Sequence, residues 1–171
     1  MKSSEILLSE YNPFYKHYID LVEDINLIDA LEKGLKTNQT FFENLPDSKW
    51  DYQYAEGKWT PKDILLHIAD TERVFAYRAL YFSRSINAEL KGFDENLFSE
   101  NALASSKTVA SLLQNYVSVR NATLSLFQSF NENQLKQLGK ANGSIMSVRA
   151  AGFVICGHEK HHCNIITERY L

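Results

Sequence analysis

Residues 58–83 read KWTPKDILLHIADTERVFAYRALYFS. The stretch opens with the punctuation of a helix start. Thr60 is a good N-cap residue, and Pro61 takes the first helical position, where its missing N–H costs nothing. Asp63 places a negative charge in the first turn, where the helix dipole favours it. Ile64, Ile68, Phe75, Ala79 and Phe82 then recur on one face, so the helix is expected to run to about Ser83. A helix this long, apolar on one side, needs partners of similar length.

The partners are found on both sides. Upstream, Ile28, Leu31, Leu35, Phe42 and Leu45 mark a helix from about Asn26 to Asn44, with Pro46 after its end, and a shorter helical piece covers Phe14 to Val22. Downstream, Leu112, Leu113, Tyr116, Val119, Thr123, Leu126 and Phe130 mark a third long helix from about Lys107, after Ser105 and Ser106. A fourth starts at Ser147, behind an Asn142-Gly143 turn, and continues nearly to Leu171 with Val148, Ala151, Ile155, Ile165 and Ile166 inside. No strand alternation, repeat or low-complexity segment stands out. The links are roughly 15 residues or longer, against about 2 to 8 in simple helical hairpins. The segment from Arg84 to Ser106 is long enough to run the length of a bundle. The pattern is an all-α four-helix bundle in which crossover connections are permitted.

The 171 residues fit one domain, 1–171, able to bury a core without staples. Three prolines and seven glycines favour long helices over a many-turned β fold. A net charge of −3 gives no surplus to neutralise phosphates, which speaks against nucleic acid as a partner. No run of roughly 18 apolar residues is present, and the N-terminus lacks a signal-peptide pattern, so no membrane and a cytoplasmic location are expected. Cys156 and Cys163 lie about 10 Å apart along one helix, too far for a disulfide, and are expected to be reduced packing thiols.

Chemistry concentrates near the end of the chain. His158-Glu159-Lys160-His161-His162 spells H-E-x-x-H, the two-histidine zinc motif of many metalloproteases. A protease needs a third ligand downstream, and the only acidic candidate there, Glu168, faces away. On the helical wheel His158 and His162 share the apolar stripe, whereas His161 points to the polar flank. The i, i+4 spacing lets two imidazoles reach one ion. A third ligand must come from upstream, where His17 and His67 are the only histidines. His67 lies two turns into the second helix beside its apolar face, and bundles build metal sites from such facing helices. Three imidazoles leave coordination positions open, the form of a catalytic site, and Zn, Ni, Fe and Co all accept them. The competing explanation is a packed or dipole-stabilising histidine pair.

Taken together, several motifs resemble the DinB-like family. They are Gly57-Lys58-Trp59-Thr60-Pro61-Lys62-Asp63 with His67, Asp70-Thr71-Glu72-Arg73, Phe75-Ala76-Tyr77-Arg78-Ala79-Leu80, Gly92-Phe93-Asp94, Ser147-Val148-Arg149-Ala150 and Gly157-His158-Glu159-x-x-His162. The likeness spans nearly the whole chain, from Tyr11-Asn12-Pro13-Phe14-Tyr15 to Glu168-Arg169-Tyr170-Leu171. That family is similar to bacillithiol and mycothiol transferases and maleylpyruvate isomerases. The resemblance implies an up-down-down-up bundle and a divalent metal held by His67, His158 and His162.

For such a site the favoured reaction is transfer of a small thiol to a small electrophile, because a metal holds a thiol as its nucleophilic thiolate. Hydrolysis by a metal-activated water is the alternative. A non-catalytic metal-binding protein of stress response is a third. Glu159 is expected to orient an imidazole or to pair with Arg149 or an arginine of another helix. Asp70 is expected behind His67 or in solvent, and Arg78 and Tyr81 at a pocket mouth or at the core edge. Trp59 is expected to staple the second helix. Tyr11, Phe14, Tyr15 and Tyr18 either cover the bundle or form a homodimer contact.

Overall fold

The structure, a computed structural model, describes all of residues 1–171. Its helices are α1 (Lys16–Ile19), α2 (Leu27–Glu43), α3 (Pro61–Arg84), α4 (Glu95–Ala102), α5 (Val109–Gln128), α6 (Glu132–Leu135) and α7 (Val148–Arg169). Its strands are β1 (Glu89–Leu90), β2 (Leu138–Ala141) and β3 (Ser144–Ser147). The four long helices α2, α3, α5 and α7 are those read from the apolar period.

Their ends follow from local chemistry. Thr60 and Asp63 form a reciprocal capping box: the Asp63 N–H donates to Thr60 Oγ1 at 3.2 Å, and the Thr60 N–H donates to the Asp63 carboxylate at 2.9 Å. Ser147 Oγ accepts the Ala150 N–H at 3.0 Å and opens α7. The cap of α5 is Thr108, which accepts from the Ser111 N–H at 3.2 Å, a few residues after Ser105 and Ser106.

Cross-helix contacts fix the directions. Leu27, Gly34 and Asn38 of α2 meet Gly152, Glu159 and Cys163 of α7 in the same order, so these helices are parallel. Leu31 and Asn38 meet Arg120 and Tyr116 of α5 in reverse order, so α2 and α5 are antiparallel. His67 of α3 meets His158, while the Tyr170 hydroxyl after α7 donates to the Trp59 carbonyl before α3, so α3 and α7 are antiparallel. The bundle is therefore up-down-down-up, with the crossover 85–108 joining the parallel pair α3 and α5.

Two features depart from the sequence reading. A three-stranded sheet exists, with β1 parallel to β2 and β2 antiparallel to β3. The β2–β3 hairpin turns on Asn142 and Gly143 at φ 52° and 72°, the left-handed pair of a tight hairpin. Each of its strands has only four residues, too few to show alternation. The crossover is also not plain loop, since it carries β1 and α4. No residue of α4 is buried. Asn87 and Leu103, which bracket β1 and α4, both have left-handed backbone, at φ 54° and 51°.

The N-terminal 25 residues form a strap across one side. Its start pairs with Asn26, Tyr11 bridges to Met146, and Glu10 accepts from Arg149 Nε at 2.7 Å. Tyr11 and Ile19 are buried in the core, and Tyr15 and Tyr18 pack against it, whereas Phe14 is exposed. The strap aromatics thus mostly cover the bundle. Strap and α7 approach closely: a Cβ on Gly157 would fall 1.9 Å from the Tyr18 carbonyl oxygen, so only glycine fits there.

Candidate metal centre

His67 stands on the second turn of α3, and His158 and His162 on successive turns of α7. Because those helices are antiparallel neighbours, the three rings converge. His158 Nε2 lies 3.0 Å from His67 Nε2 and 3.1 Å from His162 Nε2, and one ring nitrogen of each histidine falls within 4.8 Å of the others. Two nitrogens bound at about 2.0–2.1 Å to a tetrahedral zinc would sit about 3.3 Å apart. The trio therefore lies within a few tenths of an ångström of that spacing at two of its three edges. No carboxylate intrudes on the donor set.

The electrostatics match nitrogen ligands. Burial pushes His67 down to about 4. Burial, then the neighbouring His67 and His161, push His162 down to about 3. Burial and the surrounding imidazoles hold His158 well below its ordinary value. All three are neutral at physiological pH, which leaves their lone pairs free. Thr71 Oγ1 lies 3.5 Å from His67 Nδ1, on the ring edge away from the trio.

The walls are aromatic. The Trp59 ring centroid lies 4.6 Å from that of His67 and 6.3 Å from that of His162. Tyr18 stands edge-on to His158 at 5.4 Å, and burial, then Glu95, keep its phenol above its ordinary pKa. His161 lies outside the donor set, its ring edge-on to His162 at 5.2 Å and packed against His17 and Tyr18. A solvent-connected cleft of about 330 Å³, lined by Tyr54, Trp59, Asn96, His161 and His162, reaches the trio at His162.

Behind the histidines lies a fully buried charge cluster. Arg120 of α5 donates to Glu72 of α3 at 2.8 Å through both Nε and Nη2. It also donates to Glu159 of α7 at 3.0 and 2.6 Å. The Tyr116 hydroxyl donates to Glu159 at 2.8 Å. Burial pushes the Glu159 carboxyl up against the pull of Arg120, while the two carboxylates hold Arg120 charged. Glu72 follows His67 by five residues, and Glu159 is next to His158, so one guanidinium ties together the helices that carry the trio.

The other expected residues land as follows. Glu159 pairs with an arginine of another helix, Arg120; Arg149 pairs instead with Glu10. Glu159 is thus engaged by Arg120 and Tyr116. Asp70 is bound to Arg73 at 2.9 Å and lines a small cavity beside His67. Arg78 is buried and Tyr81 exposed. Cys156 and Cys163 are free and buried, and burial pushes both thiols far up, which makes them packing groups. Trp59 does more than staple a helix, because its ring walls the histidines. Arg120 and Tyr116 gave no functional signal in the sequence, since an isolated wheel does not reveal which residue a buried carboxylate will meet.

The description "DinB superfamily" matches residues 30–166. The chain belongs to the DinB superfamily. A protein of solved structure, YfiT from Bacillus subtilis, superposes with a TM-score of 0.75 at 21% identity, covering 94% of this chain and 92% of that one. YfiT is described as a probable metal-dependent hydrolase with an unusual four-helix bundle topology. A second, the DinB-like protein YjoA from Bacillus subtilis, superposes with a TM-score of 0.60 at 16% identity, over 83% of this chain and 87% of that one. At these identities the likeness is one of fold. No curated protein matches the sequence. No helix is long and apolar enough to cross a membrane.

Proposed function

We propose that His67, His158 and His162 hold one divalent metal ion, and that the protein is a metal-dependent enzyme transferring a small thiol to a small electrophile. The observation that carries this is the convergence of three neutral imidazole nitrogens beside a solvent-connected cleft. A divalent cation held there would supply a Lewis acid able to lower the pKa of a thiol or a water. The chain's own residues shape the site. The Arg120 cluster ties the ligand helices together, Thr71 lies beside the outer ring nitrogen of His67, and Trp59 and Tyr18 wall two sides of the rings.

Thiol transfer is preferred because no free carboxylate stands ready as a general base. Glu159 is engaged by Arg120 and Tyr116, and Asp70 by Arg73. A thiol, with an ordinary pKa of about 8.5, needs less help to ionise than water does. Hydrolysis is the second reading, favoured by the likeness in fold to YfiT and by the description that protein carries.

Elemental analysis of tag-free protein tests the site. About one metal per chain, lost in His67→Ala, His158→Ala and His162→Ala and kept in His161→Ala, is the expected result. Absence of metal in the wild type after reconstitution with Zn and Ni would overturn it. Zinc-loaded protein is then assayed with a panel of cellular thiols and a model electrophile. Flat thiol consumption alongside ester or amide cleavage would replace transfer by hydrolysis.

A further inference from the structure

Arg78 is the one buried side chain whose chemistry the fold leaves unanswered. It is 3% exposed, and its Nη1 meets no hydrogen-bond acceptor. The other two buried arginines, Arg120 and Arg149, both end on carboxylates. Two rings flank Arg78: its guanidinium carbon lies 4.6 Å from the Phe75 centroid and 5.8 Å from that of Phe93. Buried charges are ordinarily paired, and an unpaired one costs stability. Two rings offset that cost only in part.

Its place relates it to the histidines. Arg78 follows His67 by eleven residues, three turns of α3, and so falls within about 20° of the same face. Side chains on a helix lean toward its N-terminus, and the Arg78 guanidinium does lie over Phe75, on the His67 side. Phe93 touches both neighbourhoods. It stacks near Arg78 and also lines the small cavity shared with His67, Asp70 and Thr71. That cavity measures about 10 Å³, room for little more than a water. Its cover is the segment of β1 and α4, which buries no residue of α4 and is bracketed by left-handed Asn87 and Leu103. For a branched-chain size residue such as Leu103 that backbone is strained. A cover that buries no residue of its helix admits a ligand by moving Phe93 aside while β1 stays paired with β2.

We infer that Arg78 is a carboxylate-binding subsite covered by Phe93, the residue that also lines the separate small cavity beside His67. A planar guanidinium with free donors takes a carboxylate in a two-pronged pair, and flanking phenyl rings suit an apolar body on that acid. The ligand class is therefore a small apolar organic acid whose carboxylate ends on Arg78; eleven helical residues span roughly 16 Å, so it sits beside the histidine site and not on its reacting atoms.

Benzoate is the probe, titrated calorimetrically and by thermal melting into metal-free full-length protein, so that no metal competes for it. Wild type, Arg78→Met, Arg78→Lys and His67→Ala are compared. The expected result is saturable binding to wild type and His67→Ala, weakened at least about tenfold in Arg78→Met and partly restored in Arg78→Lys. Without benzoate, Arg78→Met should melt at or above the wild-type temperature, because it removes an unpaired buried charge. Benzoate should then raise the melting temperature of wild type and His67→Ala, raise that of Arg78→Lys less, and leave that of Arg78→Met unchanged. Three results would each overturn the inference: no binding to wild type, equal binding to Arg78→Met, or an Arg78→Met protein several degrees less stable. Retained binding in His67→Ala keeps this result separate from the metal assignment, which stands or falls on elemental analysis.

Discussion

Replacing Arg120 by methionine tests the cluster behind the histidines most directly. Methionine keeps most of the side chain's volume but removes the charge and all five N–H donors. In the wild type those donors serve Glu72, Glu159 and the Leu31 carbonyl, and the two carboxylates are only 1% and 2% exposed. Without Arg120 both carboxylates are left in the interior, facing each other's charge. Breaking a buried pair from one side costs about 3–5 kcal/mol, a large part of the roughly 5–15 kcal/mol that holds a domain together. At about 2–4 °C per kcal/mol for a chain of this length, the melting temperature should fall by about 6–20 °C. The triple variant Arg120→Met, Glu72→Leu, Glu159→Leu leaves no orphaned charge and should recover most of that loss, since apolar replacement of a whole buried cluster is often neutral. Urea unfolding of the metal-free proteins at neutral pH gives the free energies. A single variant within about 1 kcal/mol of wild type would refute the reasoning, because an orphaned charge pair cannot cost so little. So would a triple variant no more stable than the single one.

Further outcomes follow from other contacts. Burial alone would raise Glu10, but the hydrogen bonds from Arg149, the Leu7 N–H and Ser147 outweigh it and hold the carboxyl below its ordinary value. A depressed carboxyl stabilises the fold above its unfolded pKa and stops doing so as pH falls through the folded one. Arg149→Met should therefore lower the melting temperature at neutral pH, with the gap to wild type closing below about pH 4. Native protein at pH 8 should resist alkylation by iodoacetamide at Cys156 and Cys163 until it unfolds; mass spectrometry showing rapid native labelling would contradict their inert burial. Gly157→Ala should cost about 1–3 kcal/mol in urea unfolding, since the new methyl meets Tyr18 backbone, which cannot give way as a side chain could. Ni²⁺ should quench the fluorescence of Trp59, whose ring lies 4.6 Å from that of His67, and Trp59→Phe should abolish the response.

The four long helices were legible because each announces itself locally. Thr60-Pro61 and Ser147 mark starts, and the apolar period carries the rest. The inward pair His158 and His162, and His67 facing it, were legible for the same reason: a wheel tells which side of a helix a residue takes. It does not tell which helix lies opposite. That is why the partner of Glu159 stayed open between Arg149 and an arginine elsewhere, and why Arg120 passed as an ordinary residue amid Val119 and Asn121. The sheet stayed hidden for another reason. Its strands are two to four residues long, and β1 pairs with β2 across some fifty residues of chain, a distance at which no local pattern survives. Asn142-Gly143 was read as a turn, yet flanking segments that short do not declare a hairpin. Trp59 illustrates a third limit, since its contact with His67 depends on how the loop before α3 folds back.

The strap deserves a kinetic reading. It crosses the bundle with few helical hydrogen bonds of its own and is fastened where Glu10 meets Arg149, where Tyr11 bridges to Met146, at Asn26, and where Ile19 enters the core and Tyr18 abuts Gly157. Segments tied at separate points can open as a unit without unfolding what lies beneath. Tyr18 belongs to that unit, and it is the wall of His158. We therefore expect strap amides around Tyr18 to exchange with deuterium well before those of α7, and faster still in Arg149→Met; equal protection of both would contradict this. One side of the histidine centre would then be governed by the opening free energy of a short segment, so exposure of His158 could be tuned by fastenings far along the chain while the bundle itself stayed folded.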